Sequence, residues 1–581
     1  MDLQQLLEAA SAHLQKERHL LPMYLHLIVS ALFPIYAGAH ASLSRPSSAA
    51  KPANKSKDTA RAEADAGDDE EEDEEVVQQM EGMSARDALI YPIVAAITLG
   101  GLYFLITKYG ANAINLIFGW YFSIAGVFSV AKLVSDAAIV SIGFIFPTYF
   151  VRYGRLYKVE ASKRKAVAEG AEKGIDSPIP FVPAWTKTFY DAVWNIRAAI
   201  KQRYTVRIRT SDSDDKTHFT AIHVVGVIVG IAASLYANLV AKPWYLTNLQ
   251  GFAVCYTAFQ MLSPTSFTTG SLLLAGLFCY DVWAVFFTPL MVTVAKNLDQ
   301  PIKLVFPRPE EAVQKQVQVP FLPPAPKTQY SMLGLGDIVL PGIMIALALR
   351  FDLHLFYLAK QRKARTIDRK SEEAEHAVEK APYVSTTGNF GDRFWTARLP
   401  ASARPVKLNA SFPKPYFYAS MVGYIIGMLT TLVVMGVFQH AQPALLYLVP
   451  GVLVSLWGTA LVRGEIKTMW EFSEAVGEPE ASEDKAKSKD EDVLNLDSWQ
   501  TWVDMWTSVL CFLGLRETTK PSKGTKIEGV KGEDDATDTK NEDVPKKNKS
   551  QDDDPVVFSF SITRYQRTSS STGDGAKTKA S

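Results

Sequence analysis

The chain alternates between long apolar runs and polar, charged stretches, and the lengths of the runs carry the first conclusion. Apolar segments occupy residues 20–43, 89–107, 114–134, 219–240, 244–262, 271–296, 331–350, 416–438 and 441–462. Each approaches the ~20 residues that a helix needs to cross ~30 Å of hydrocarbon. Lipid offers no partners to backbone N–H and C=O groups, so spans of this kind are helices. The pattern predicts an all-α polytopic membrane protein with about nine transmembrane helices. The first segment is longer than the apolar core of a secretory signal peptide and is expected to be retained. A further apolar stretch, 136–149, is short and contains Pro147; it is expected to extend the preceding helix or to lie at the interface.

The polar stretches divide the chain. An N-terminal segment and first helix (1–43) precede an acidic disordered loop (44–86) with a run of eight Asp and Glu residues at 68–75. Helices two to five, with a long basic loop at 151–218, fill 87–262, and helices six and seven fill 263–352. A second basic loop (353–414), helices eight and nine (415–469) and a low-complexity tail (470–581) complete the chain. Like charges as dense as 68–75 repel one another and stay solvated, so disordered loops and tail are expected. Within the tail, Trp499, Trp502, Trp506, Leu510 and Leu513 recur at helical spacing, which predicts an amphipathic helix over 498–515.

Charge alters this picture only in its distribution. The 61 basic and 61 acidic residues cancel, so the chain has no overall cationic character to suggest nucleic acid as a partner. Most Lys and Arg fall in 44–86, 151–218, 353–414 and the tail, which share one side if nine helices cross. The positive-inside rule makes that side cytosolic, with the N-terminus lumenal and the C-terminus cytosolic. Cys255, Cys279 and Cys511 have no C-x-x-C spacing, and neither a disulfide framework nor a metal site is expected.

Two residues break the apolar pattern in a way that demands a cause. Asp281 sits about the middle of 271–296, and Asp337 lies within 331–350. A carboxylate at the centre of a membrane helix costs roughly 2.5–3.5 kcal/mol on insertion scales, so it faces a polar cavity or a partner. Two such groups on neighbouring helices can meet and share one proton, the chemical unit of an aspartic protease. Tyr280 precedes the first, and Gly334, Leu335 and Gly336 precede the second. The glycines remove side chains beside the carboxylate, allowing another backbone to approach. Pro443, Ala444 and Leu445 open the last span, where a proline's missing N–H leaves no bond unmade.

YD at Tyr280–Asp281, GLGD at Gly334–Asp337 and PAL at Pro443–Leu445, in this order on three spans, resemble the defining motifs of the presenilin and signal peptide peptidase family of intramembrane aspartyl proteases. The likeness is greater to its signal peptide peptidase branch, across 291–307, 332–352 and 440–450. The resemblance implies a presenilin-like fold of nine helices, catalysis by Asp281 and Asp337 without metal or cofactor, and a substrate-positioning role for Tyr280, the Gly334–Gly336 loop and Pro443–Leu445. It implies residence in the endoplasmic reticulum membrane. It implies as substrates signal peptides and single-span proteins of type II orientation, and as partners a second copy of the chain or the degradation machinery of that membrane. By analogy an extended substrate would pair with a strand near Gly334, and the β-prone pieces 301–306 and 316–319 are expected to serve. A catalytically silent membrane scaffold and an ion-coupled transporter are the alternatives that paired membrane carboxylates leave open.

Asn54, Asn409 and Asn548 occupy N-x-S sequons that this orientation puts in the cytosol, so none should carry a glycan. Endoglycosidase treatment should leave the electrophoretic mobility unchanged, whereas a glycan on Asn54 would invert the orientation.

Overall fold

The computed structural model describes residues 21–50, 80–168, 174–180, 186–210, 214–298, 303–307, 330–368, 380–438, 442–474 and 558–564. The chain divides into two compact units, residues 1–197 with 222–483 and residues 198–221 with 484–581. In chain order, α1 (Leu21–Ala41), β1 (Glu81–Met83), α2 (Ala85–Tyr109) and α3 (Ala111–Ile145) lead into a meander of β2 (Tyr149–Arg152), β3 (Arg155–Glu160) and β4 (Lys165–Ala168). After α4 (Lys187–Lys201) come β5 (Arg203–Thr210) and β6 (Asp214–Thr220), then α5 (Ala221–Leu239), α6 (Trp244–Met261), β7 (Leu262–Pro264), α7 (Phe267–Phe286) and α8 (Leu290–Asn297). The hairpin strands β8 (Lys303–Pro307) and β9 (Tyr330–Gly334) precede α9 (Leu335–Asp368), α10 (Phe390–Thr396), α11 (Pro415–Phe438), α12 (Leu445–Arg463), α13 (Ile466–Glu471) and β10 (Phe558–Arg564).

Among the described residues eight helices, α1, α2, α3, α5, α7, α9, α11 and α12, are long and apolar enough to cross a membrane. The ninth expected span is α6, whose 18 residues suffice in length but include buried Asn248, Gln250 and Gln260. The segment 136–149 extends α3, which runs to Ile145 and stops short of Pro147.

Two expected helices begin or end elsewhere than the apolar runs do. The run 271–296 breaks between α7 and α8 at Phe287–Pro289, because proline lacks an N–H and its ring disfavours helical geometry in the residue before it. Asp281 therefore lies about one and a half turns from the end of α7 rather than at mid-span. In the run 331–350, the first residues are extended as β9, and α9 starts only at Leu335. Asp337 is thus in the first helical turn.

The basic connectors, expected to be disordered, hold a folded layer. Tyr153 (φ 51°) and Gly154 (φ 74°) make a two-residue turn that pairs Arg152 with Arg155, the geometry that suits the right-handed twist of a hairpin. Phe150, Val159 and Ala166 of the meander bury against Trp194 of α4. From the second connector, Asp392 of α10 accepts hydrogen bonds from the N–H groups of Thr148 (2.6 Å) and Tyr149 (3.2 Å). In the smaller unit β10, from the expected disordered tail, pairs antiparallel with β5, which pairs with β6. Residues 68–75 and 498–515 lie outside the described residues.

At the centre of the larger unit stands α9. From Ile343 to Leu353 every residue is buried, so this stretch is enclosed on all sides, and α9 packs against α1, α6, α7, α11 and α12. Two charges are buried with it. Arg350, 3% exposed, donates to Glu474 Oε1 (2.6 Å), Ser42 Oγ (2.9 Å) and Ser263 Oγ (2.6 Å). Asp352 accepts the N–H groups of Tyr416 (3.2 Å) and Phe417 (2.9 Å) at the start of α11. These contacts tie α9 to α1, to the α6–α7 junction, to α11 and to the segment after α13.

Breaking a buried ion pair strands the remaining charge, so Glu474→Ala should destabilise the protein by about 3 kcal/mol. Glu471→Ala, which removes the exposed 3.8 Å pair with Lys467, should cost under about 0.5 kcal/mol. Thermal unfolding of both variants in detergent checks the contrast.

Candidate active site

The site forms where three helix ends converge. On α7, Asp281 is buried, 6% exposed, with Tyr280 half-buried beside it. The N–H of Leu445 donates to Asp281 Oδ2 at 3.2 Å. Leu445 is the first residue of α12, and the leading N–H groups of a helix have no partner within it. The carboxylate fills that vacancy and faces the positive end of the α12 dipole. Pro443 and Leu445 are buried and Ala444 is half-buried. Since Pro443 has no N–H, it adds no further donor to be satisfied.

Close packing of α11 on α12 fixes the position of that helix end. Gly423 and Gly427 stand four apart on α11, and a Cβ on Gly427 would come within 2.8 Å of the Tyr447 carbonyl oxygen. Small residues at this spacing let helix backbones touch. Tyr424, between them, is fully buried, and its hydroxyl donates to the carbonyl oxygen of Asp337 at 3.4 Å.

Asp337 enters from α9, which packs against α7. The two carboxylates are within electrostatic reach of each other. The Asp337 side chain folds back over Gly334, where an added Cβ would lie 3.3 Å from Oδ2. Gly334 and Gly336 are exposed and Leu335 is buried. Asp281, Asp337 and the Pro443–Leu445 segment thus come together, with Tyr280 and the Gly334–Gly336 loop adjoining them. Among the described residues no group of three or more His, Cys, Asp or Glu side chains is placed to hold a metal ion.

The hairpin beside the site has an edge, on β9, that no other described strand pairs. β8 and β9 are antiparallel, with Val305 opposite Met332 and Lys303 opposite Gly334. On the far side of β8, the Asn248 amide donates to the Val305 carbonyl (2.9 Å) and accepts its N–H (2.7 Å). Val305's main-chain groups therefore point away from β9. In an antiparallel ladder the opposing residue does likewise, so Met332 directs its N–H and C=O, and Gly334 its N–H, toward the edge of β9 that no other described strand pairs, while the Gly334 carbonyl, just before α9, begins that helix's own hydrogen bonding. This corrects the expected pairing piece 301–306 over its described part: 303–306 pairs with β9 on one side, and on the other Asn248 occupies the main-chain groups of Val305. Residues 301–302 and 316–319 lie outside the described residues. Sequence reasoning missed Asn248 and Tyr424; each is a polar group inside an apolar run, a signal that was present for both.

A family model described as signal peptide peptidase matches residues 74–476, which takes in the chain from β1 to α13. The signal peptide peptidase of Mus musculus is 28% identical over 409 residues, covering 70% of this chain and 78% of the mouse protein. That of Homo sapiens is 28% identical over 395 residues, covering 68% and 75%. Intramembrane protease 2 of Caenorhabditis elegans is 30% identical over 302 residues, covering 51% and 53%. With the match extending over most of the sequence and through every element that builds the site, the chain belongs to the signal peptide peptidase family.

Proposed function

We propose that this multi-pass membrane protease is an aspartic endopeptidase in which Asp281 and Asp337 act as one unit, cutting peptide bonds within the membrane spans of signal peptides and other type II proteins. The observation that carries this reading is the convergence of two carboxylates from adjacent helices, one of them bonded to the N–H of Leu445. Like charges this close in a medium of low dielectric constant do not both ionise, so the pair holds one proton. The ionised member takes a proton from water while the resulting hydroxide bonds to the scissile carbonyl carbon. The protonated member gives its proton to the carbonyl oxygen. Collapse of the tetrahedral diol breaks the C–N bond: the protonated aspartate gives its proton to the leaving amine nitrogen while one diol hydroxyl returns a proton to the ionised aspartate, leaving a carboxylic acid product and a dyad that again holds one proton.

A helical substrate hides its peptide bonds within its own hydrogen bonding and must unwind before cleavage. The outward N–H and C=O of Met332 and the N–H of Gly334 offer the unwound strand partners two residues apart, the spacing of strand addition. Loop charge supports the orientation with the basic connectors in the cytosol, the N-terminus lumenal and the hairpin on the lumenal side of an endoplasmic reticulum membrane. A substrate with its C-terminus in the lumen then meets β9 just beyond the scissile bond.

Purified protein in detergent should cut a type II single-span peptide inside its apolar stretch, the position being read by mass spectrometry. Asp281→Ala and Asp337→Ala should each lower turnover at least about 10³-fold with unfolding temperature retained. Full activity in either variant would place the chemistry elsewhere. Met332→Pro removes one outward donor from β9 and should lower kcat/KM about tenfold, whereas unchanged turnover would remove strand pairing from the mechanism.

A further inference from the structure

The β8–β9 hairpin forms one wall of a cavity of about 220 Å³ to which the chemistry above gives no role. Cross-strand partners share a face of a ladder. Leu304 and Phe306 turn one face into the core, and Val305, Tyr330 and Met332 line the cavity from the other. The end of α5 and the start of α6 meet at this space, so the negative end of one helix dipole and the positive end of the other offset each other there. Lys242 and Lys303, also in the lining, each have an interaction of their own. What stands unanswered is a neutral group. Gln250 of α6, in the same lining, is 6% exposed, and among the described residues its carboxamide has no hydrogen-bond partner. Its Nε2 stands 3.5 Å from the place a Cβ on Gly126 would take. Asn248, two residues earlier on the same helix, commits both ends of its carboxamide to Val305.

We propose, resting on the protease reading above, that this cavity is a specificity pocket for a neutral hydrogen-bonding side chain of the peptide substrate, read by the carboxamide of Gln250. A carboxamide offers donors and acceptors at once. Leaving them unmade in a buried place is costly, so the pocket favours a side chain that answers them, an amide or a hydroxyl. The strand edge is the way in. A substrate residue bonded to the outward groups of Met332 stands opposite Met332 and shares its face of the sheet, the face that lines the cavity. Advancing in step with β9 at ~3.3 Å per residue, that residue falls a few positions beyond a cut made at Asp337. The space is smaller than the ~300–1,000 Å³ of sites for drug-sized ligands, which suits one side chain. In the orientation proposed above it meets the lumenal border of the substrate's span, where the apolar run of a signal peptide ends.

The test gives the full-length protein in detergent a series of single-span peptides in which one Leu past the cut is exchanged for Gln, at each of about six positions in turn. Wild type should favour Gln over Leu about tenfold in kcat/KM at one of them, mainly through KM. In Gln250→Met, apolar and of similar length, that ratio should fall toward one with the ratios at the other positions unchanged. Gln250→Asn keeps the carboxamide and should keep part of the preference. No position with such a preference in wild type, or a preference that survives Gln250→Met, would leave Gln250 to water and overturn the proposal, with Asp337-dependent cleavage, and so the protease reading, intact. An equal loss in Gln250→Met for every peptide, the Gln-to-Leu ratios being kept, would show a structural role alone and likewise overturn it. Failure to cut any peptide would bring down the protease reading and this inference with it.

Discussion

A carboxylate inside an apolar helix bundle must be given partners, and the bundle's own helix ends supply them. Lipid and packed side chains leave the first N–H groups of a helix without acceptors and leave a carboxylate without donors. Bringing the start of α12 against Asp281 answers both needs with one contact. The same solution recurs away from the site, where Asp352 receives the first N–H groups of α11. Both arrangements require helices to start at fixed places, which gives the Pro443–Leu445 segment and the glycine contact between α11 and α12 their structural meaning.

The surroundings of the two aspartates differ in kind. Asp281 lies within a continuous helix and is held by a neighbouring one. Asp337 follows directly on a strand, and the backbone changes from extended to helical between Gly334 and Leu335. Beyond that junction α9 is enclosed and anchored by Arg350 and Asp352, so the helix carrying Asp337 is fixed deep in the bundle. The hairpin before it presents an edge that no other described strand pairs. A carboxylate fixed in the bundle beside a strand edge fits the proposed enzyme, which must unwind its substrate before cutting it.

Much of this was legible in the residues. The apolar runs marked the membrane-length helices, and the YD, GLGD and PAL motifs named residues that the fold brings together. The boundaries at the site were not legible, for physical reasons. The five residues at 330–334 are too few for a period of two to stand out from the helical run that follows. The break at Pro289 was visible in the sequence, but long apolarity outweighed one proline. The meander at 149–168 escaped because its abundant Lys and Arg masked an alternation of buried Phe150, Val159 and Ala166 and the Tyr153–Gly154 turn. Asn248 and Tyr424 stand out locally as polar groups in apolar runs, but their partners, at Val305 and Asp337, are far along the chain and no local pattern names them.

The central claim is that Asp281 and Asp337 operate as one unit, and binding tests it more directly than turnover. Affinity for a peptide isostere bearing a hydroxyl at the scissile position should be measured for wild type, Asp281→Asn, Asp337→Asn and the double variant. A shared site predicts that each single change weakens binding by about 10²-fold and that the double variant binds no more weakly than either single one, since either change alone already dismantles the pair. Losses that add, or an isostere bound as tightly by one single variant as by wild type, would contradict it.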